Sequence, residues 1–176
     1  MFNRSAVLAC TAFLVAVAPS SARAQGPADP RVPDTTSALA LAGPRFGFTV
    51  LTDQMRQKLN RNNIAVGSYI TQFGWQFEKQ FLANPGGLTA VNEWVLLVGG
   101  LDQGAFLPSL SWILGLRGSG GSEFGIGPNI SAAGAALVIA GGVTIRNGAL
   151  NIPVNLAIVP SQEGMRVSVL TGWTLR

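Results

Sequence analysis

The sequence predicts an all-β fold, an antiparallel up-and-down β-barrel of about eight strands with one short helix in the first loop. Three observations predict it. Eight stretches from residue 45 onward run apolar or alternate with a period of two, and each is bounded by Gly, Pro, Asn or Ser. Only one interruption between them has helical period. Charged residues make up 11% of the chain beside 22 glycines and 48% hydrophobic residues, whereas a soluble domain carries about 25% charged residues.

Residues 1–24 carry Arg4, an apolar run from Ala6 to Ala18 and the small-residue pattern Ala22-Arg23-Ala24, the signature of a secretory signal peptide cleaved before Gln25. The run stops at Pro19, short of the roughly 20 apolar residues that a spanning helix needs. Cys10 follows Val7-Leu8-Ala9 in the manner of a lipoprotein box, but the apolar core continues past it to Ala18, which favours the later cleavage. Loss of this segment would remove Arg4 and Arg23, leaving ten basic residues, eight acidic ones and no cysteine. Residues 25–43 hold three prolines and no sustained period, so they read as a flexible N-terminal segment ahead of a barrel domain at 44–176.

Within that domain the strands are expected near 45–51, 68–81, 88–99, 105–117, 122–130, 134–146, 149–159 and 164–175. The helix is expected over 52–62, where Thr52 or Asp53 can cap and Met55 and Leu59 share a face at i, i+4. Successive side chains of a strand point to opposite faces. Tyr69, Phe73, Trp75 and Phe77 therefore oppose Gln72, Gly74, Gln76 and Glu78. Leu110, Trp112, Leu114 and Leu116 oppose Ser109, Ser111, Gly115 and Arg117. Phe124, Ile126 and Ile130 oppose Glu123, Gly125 and Asn129, and Met165, Val167, Val169 and Trp173 oppose Arg166, Ser168, Gly172 and Thr174. The run Trp94-Val95-Leu96-Leu97-Val98 is apolar on both faces, as in strands buried on both sides. Asn147-Gly148 is a two-residue hairpin signal that would pair Ile145 with Leu150 and Val143 with Ile152. That register sets Gly142 against Pro153 at a hydrogen-bonded position, which demands a bulge or a slip.

The polar faces are mostly Gly, Ala, Ser, Asn and Gln, rather than the Lys, Glu and Asp that a water-facing surface carries. A barrel in lipid inverts the usual arrangement, with the apolar face outward and small or hydrogen-bonding residues inside. Stretches of this length also suit tilted membrane strands of about 9 to 11 residues.

In strand count, amphipathic alternation and aromatic placement, residues 45–176 resemble the small eight-stranded outer-membrane barrels typified by the membrane domain of outer membrane protein A. The resemblance implies an outer-membrane location in a Gram-negative bacterium, outer-membrane lipid as a partner, and a structural, interaction or minor pore role. It also implies that the first, third, fifth and seventh loops face the cell exterior, which would set helix 52–62 at the surface. Arg56, Lys58 and Arg61 could there contact lipid phosphate, or form an ordinary solvated face. Trp75, Trp94, Trp112 and Trp173 are candidates for interfacial belts, or for the core of a soluble sheet. Gln72, Gln76, Glu78, Glu93, Arg117, Glu123 and Arg166 are assigned to a polar network in the lumen, where buried acids and arginines should pair with one another.

Catalytic chemistry is hard to find. The chain has no histidine, which excludes triads with an imidazole base and ordinary zinc sites, and Glu78, Glu93 and Glu123 show no spacing that singles out an acid and a base. Gly118-Ser119-Gly120-Gly121 lacks the lysine and following helix of a phosphate loop. The reading is a non-enzymatic protein without cofactor or metal, and scattered basic residues give no nucleic-acid patch. Two alternatives stay open: a soluble periplasmic barrel or sandwich that binds a hydrophobic ligand, and a self-assembling subunit built on the uncharged, Gly/Ala-rich 131–144.

Overall fold

Period-two alternation becomes an unbroken antiparallel ladder in the computed structural model, which describes residues 41–83 and 87–175. The expected signal peptide at 1–24 and most of the 25–43 segment lie outside the described residues. The elements are β1 (Gly43–Leu51), α1 (Asp53–Arg61), β2 (Tyr69–Ala83), β3 (Thr89–Gly99), a 3-10 turn (Leu101–Gln103), β4 (Leu107–Arg117), β5 (Ser122–Ser131), β6 (Gly134–Asn147), β7 (Leu150–Ser161), β8 (Gly164–Gly172) and the two-residue β9 (Thr174–Leu175). Each of β1 to β8 pairs with its sequence neighbours, and β8 pairs back onto β1, so the sheet closes and no edge is left open. The barrel is an eight-stranded, antiparallel, up-and-down one. Its first strand begins slightly earlier than expected: Gly43 is already paired, and Leu41 is buried with its carbonyl accepting from Arg45 Nη2 at 2.5 Å.

The stagger of the barrel can be counted from its register. Paired residues lead from Gln80 through Val91, Gly115, Gly125, Ala140, Ala157, Ser168 and Thr49 back to β2 at Ile70, ten residues from the start. Ten residues of stagger over eight strands tilt each strand by about 40°. A residue then climbs about 2.5 Å along the axis, so ten residues cover about 25 Å.

Two local features depart from the expected pairing. Asn147 pairs with Leu150, so the turn residues are Gly148 and Ala149, and Gly148 takes the positive φ of 60°. This slip places Thr144 opposite Pro153 at a non-hydrogen-bonded position, and no bulge is needed. The Pro153 carbonyl faces β8, where it accepts from Thr171 Oγ1 at 3.0 Å, so its missing N–H falls on the same side. The ladder breaks there, at Trp173 between β8 and β9. A bulge does occur elsewhere: Gln80 pairs with Val91 and Leu82 with Ala90, which leaves Phe81 as an extra residue.

Helix α1 closes one end of the barrel. Asp53 lies in its first turn, with Lys58 and Arg61 in its last, in the sense the helix dipole favours. It ends at Asn62, and Asn63 follows at a positive φ of 61°. Thr52 is the N-cap residue, but its hydroxyl accepts from the Met165 amide at 2.9 Å and so ties the helix to β8. Met55 and Leu59 pack with Leu51, Val66, Ile70 and Leu107, and Ala132 and Ala133 complete the cluster. Gly164, at φ 124°, lets the β7–β8 turn pass beneath: a Cβ there would come within 2.5 Å of the Met55 nitrogen.

Candidate functional site in the barrel lumen

The side chains that alternation assigns to the polar face all point into the barrel, and the aromatic and aliphatic ones point out. Trp112 and Ile126 are exposed, as are Phe46, Phe48, Phe73, Trp75, Phe77, Trp94, Leu96, Leu114, Phe124, Ile139 and Leu156. On the outward positions of β1 to β8 the only charged residue is Lys79. The apolar run 94–98 is explained by the same alternation. Trp94 and Leu96 face out, whereas Val95 and Leu97 join Ile113, Val138, Val159 and Leu170 in an apolar cluster inside the lumen.

The end of the lumen opposite α1 is organised by Arg117. Its guanidinium takes both carboxylate oxygens of Glu78, Nη1 to Oε1 and Nη2 to Oε2, each at 2.6 Å. It also reaches Glu123 Oε2, from Nε at 3.0 Å and Nη2 at 2.8 Å, and Glu93 Oε1 at 3.3 Å. The second Glu123 oxygen accepts from Asn155 Nδ2. Fork geometry matched to a planar carboxylate is what makes Arg suited to such a cluster. Arg45 lies on the same side, fully buried, with its Nε donating to Gln76 Oε1 at 3.0 Å.

Among the described residues, acids and arginines of the lumen pair at this end only. Arg166, near α1, meets no carboxylate among the described residues; Nη1 donates to Ser131 Oγ at 2.6 Å and Nη2 to Asn129 Oδ1 at 2.8 Å. Asn129 in turn donates through Nδ2 to Ser109 Oγ and Ser111 Oγ, both at 2.9 Å. Gln72 belongs to a third group, accepting from Thr49 Oγ1 at 2.5 Å, and that hydroxyl also shares a hydrogen with Ser168 Oγ at 2.6 Å. Arg45, Asn129 and Asn155 were not assigned to the network from sequence. Arg45 was discoverable, because it alternates with Phe46 and Phe48; the two asparagines carry no signal beyond their parity.

Between the two ends lies an internal cavity with about 70 Å³ of space for water centres, and next to α1 a smaller one of about 30 Å³. By the same measure a single water needs roughly 10–15 Å³, so these hold a few waters and no lipid-sized ligand. The lumen is blocked at one end by the Arg117 cluster and at the other by α1.

The remaining candidates are rearranged. Arg56 pairs with Asp53 at 2.9 Å and Lys58 pairs with Glu163, so only Arg61 of the three basic helix residues lacks an ion pair among the described residues. The tryptophans do not form two belts. Trp75, Trp94 and Trp112 stand near the middle of β2, β3 and β4, with Trp94 and Trp112 stacked at 6.0 Å and the Trp112 indole donating to Asn92 Oδ1 at 2.6 Å. Trp173 lies near the chain end against Phe46, ring centres 5.8 Å apart. Tyr69 and Phe106 stand instead at the strand ends beside α1, with Phe81 and Trp173 toward the opposite ends. Segment 131–144 supplies most of β6, paired on both sides, so it offers no open edge for assembly. Among the described residues no helix is long and apolar enough to cross a membrane and no cluster of ligands could hold a metal. Comparison with protein-family models, with curated proteins and with solved structures finds no match.

Proposed function

We propose that the chain is a sealed β-barrel of the outer membrane of a Gram-negative bacterium, with a structural or interaction role in place of catalysis or transport. The observation that carries this reading is the inversion of the wall: large apolar side chains outside with Lys79 as the only outward charge, and three arginines with three glutamates inside. Monomeric soluble proteins rarely expose an apolar patch above a few hundred Å², and here the patch runs round the barrel. The height of about 25 Å given by ten tilted residues suits the apolar band of a membrane barrel. A minor pore role is disfavoured because both lumen ends are blocked. The soluble ligand-binding reading lacks its cavity, since the apolar faces point outward and the internal spaces are small and partly polar.

The test uses the tryptophans. Reconstituted in vesicles whose lipids are brominated near mid-chain, the protein should lose most of its indole fluorescence, because Trp75, Trp94 and Trp112 sit at mid-strand. Bromine near the headgroup should quench less. Protein that stays in the aqueous extract without detergent, with fluorescence indifferent to either lipid, would overturn the membrane reading.

A further inference from the structure

Two arginines at opposite ends of one lumen meet different company. Three carboxylates surround Arg117. Arg166 has two neutral partners, and its buried Nε has none among the described residues. Arg166 is half-buried, and a cation drawn partly out of water without a counter-charge is destabilised in proportion to its burial, which neutral acceptors offset only in part. Water can satisfy the N–H groups but cannot neutralise the charge.

Donors remain beside Arg166 at its own Nε and at Ser109. It lines both internal cavities, and so does Ser109, while Ser131 lines the smaller one. Because the Ser109 oxygen accepts from Asn129 Nδ2, its hydroxyl keeps its own hydrogen to give, whereas Ser131 gives its hydrogen to the Gly134 carbonyl at 3.3 Å. The smaller cavity has no acidic residue in its lining, and its roughly 30 Å³ of space suits one small ion with a water. Leu51, Leu59, Ile70 and Leu107 supply most of the apolar part of the wall, beside Thr49 and Gln72.

We infer that the Arg166 cavity beneath helix α1 is a binding site for a small monovalent anion of halide size, held by the guanidinium through its unpartnered Nε and by the Ser109 hydroxyl. The site is independent of what meets the outer wall, so its failure would leave the membrane reading untouched. Chloride would act as a structural counter-ion that joins β8 to β4, β5 and the helix cap.

The experiment compares thermal unfolding of the detergent-solubilised protein in sodium chloride and in sodium gluconate of equal ionic strength. Chloride at about 0.1 M should raise the midpoint by roughly 3–6 °C over gluconate, and Arg166→Met should abolish the difference. Superimposed curves for the wild type, or a difference that survives in Arg166→Met, would overturn the site. Should that variant not fold, crystals of the wild-type protein soaked in bromide decide: an anomalous peak within hydrogen-bond reach of the Arg166 guanidinium supports the site, and its absence refutes it.

Discussion

Arg117 and Arg166 occupy equivalent inward positions near opposite ends of the lumen, yet one is held by charge and the other by amide and hydroxyl groups. At the Arg117 end the strands finish in short turns, and sealing is left to an ion cluster that strand register alone brings together. Beside Arg166 an inserted helix supplies apolar side chains, and hydrophobic packing does the sealing. The barrel thus closes one end electrostatically and the other by burial. The two closures should respond differently to mutation, salt and pH.

The largest effect is expected from Arg117→Met. It strands Glu78, Glu93 and Glu123 without the cation that touches all three, and removing one partner of a buried pair costs about 3–5 kcal/mol. Denaturant unfolding in detergent should show the loss, and adding Glu78→Gln to the variant should recover part of it. A single variant within error of wild type would mean that the cluster is not what closes this end.

Leu59→Ala probes the other closure. The side chain is buried in the cap cluster, and truncation of a buried leucine costs about 2–5 kcal/mol. The loss should be the same at low and high salt, since packing is not screened. A strong salt dependence would show that the helix is held chiefly by its surface ion pairs.

Next comes Arg166→Met in chloride-free buffer. A cation with only neutral partners contributes little net stability, and an apolar replacement of similar length keeps the packing, so the change should stay within about 1 kcal/mol. Several kcal/mol of destabilisation would show that Asn129 and Ser131 satisfy the guanidinium fully, which would remove the contrast between the ends.

Much of this was legible from alternation. Strand positions and the inward face follow from alternation: five of the seven proposed lumen residues share parity on strands with Phe73, Trp75, Trp112 or Phe124, Arg166 takes its face from Met165 and Val167, and Glu93 from its place beside Trp94. What parity cannot give is register between strands, because a slip by two keeps every face correct. The Asn147-Gly148 turn shows this: moving the turn by one residue left the apolar faces aligned but changed which residue opposes Pro153. The same blindness hid the partners of Arg166, since all inward acids looked equally available until the stagger of ten residues set them apart from it. The Phe81 bulge carries no glycine or proline to announce it, and the tryptophans could not be placed at an interface until the strand ends were known.

The smallest effect belongs to the surface of the helix-capped end. Lys58 pairs with Glu163 in the β7–β8 turn, and its hydrogen bond holds the Glu163 carboxyl below the usual carboxylate range, with attraction from Lys58 and Arg61 adding to the shift. A carboxyl depressed in the folded state contributes stability above its unfolded pKa of about 4.3 and loses it as pH falls through the folded value. Amide exchange in α1, corrected for intrinsic rates, should therefore be level from neutral pH down to about 5 and should quicken below about 4. Glu163→Gln should remove that acid limb while leaving the neutral-pH rates nearly unchanged, because an exposed pair is worth little. An acid limb that persists in the variant would show that the Lys58–Glu163 pair does not set the acid response of this end.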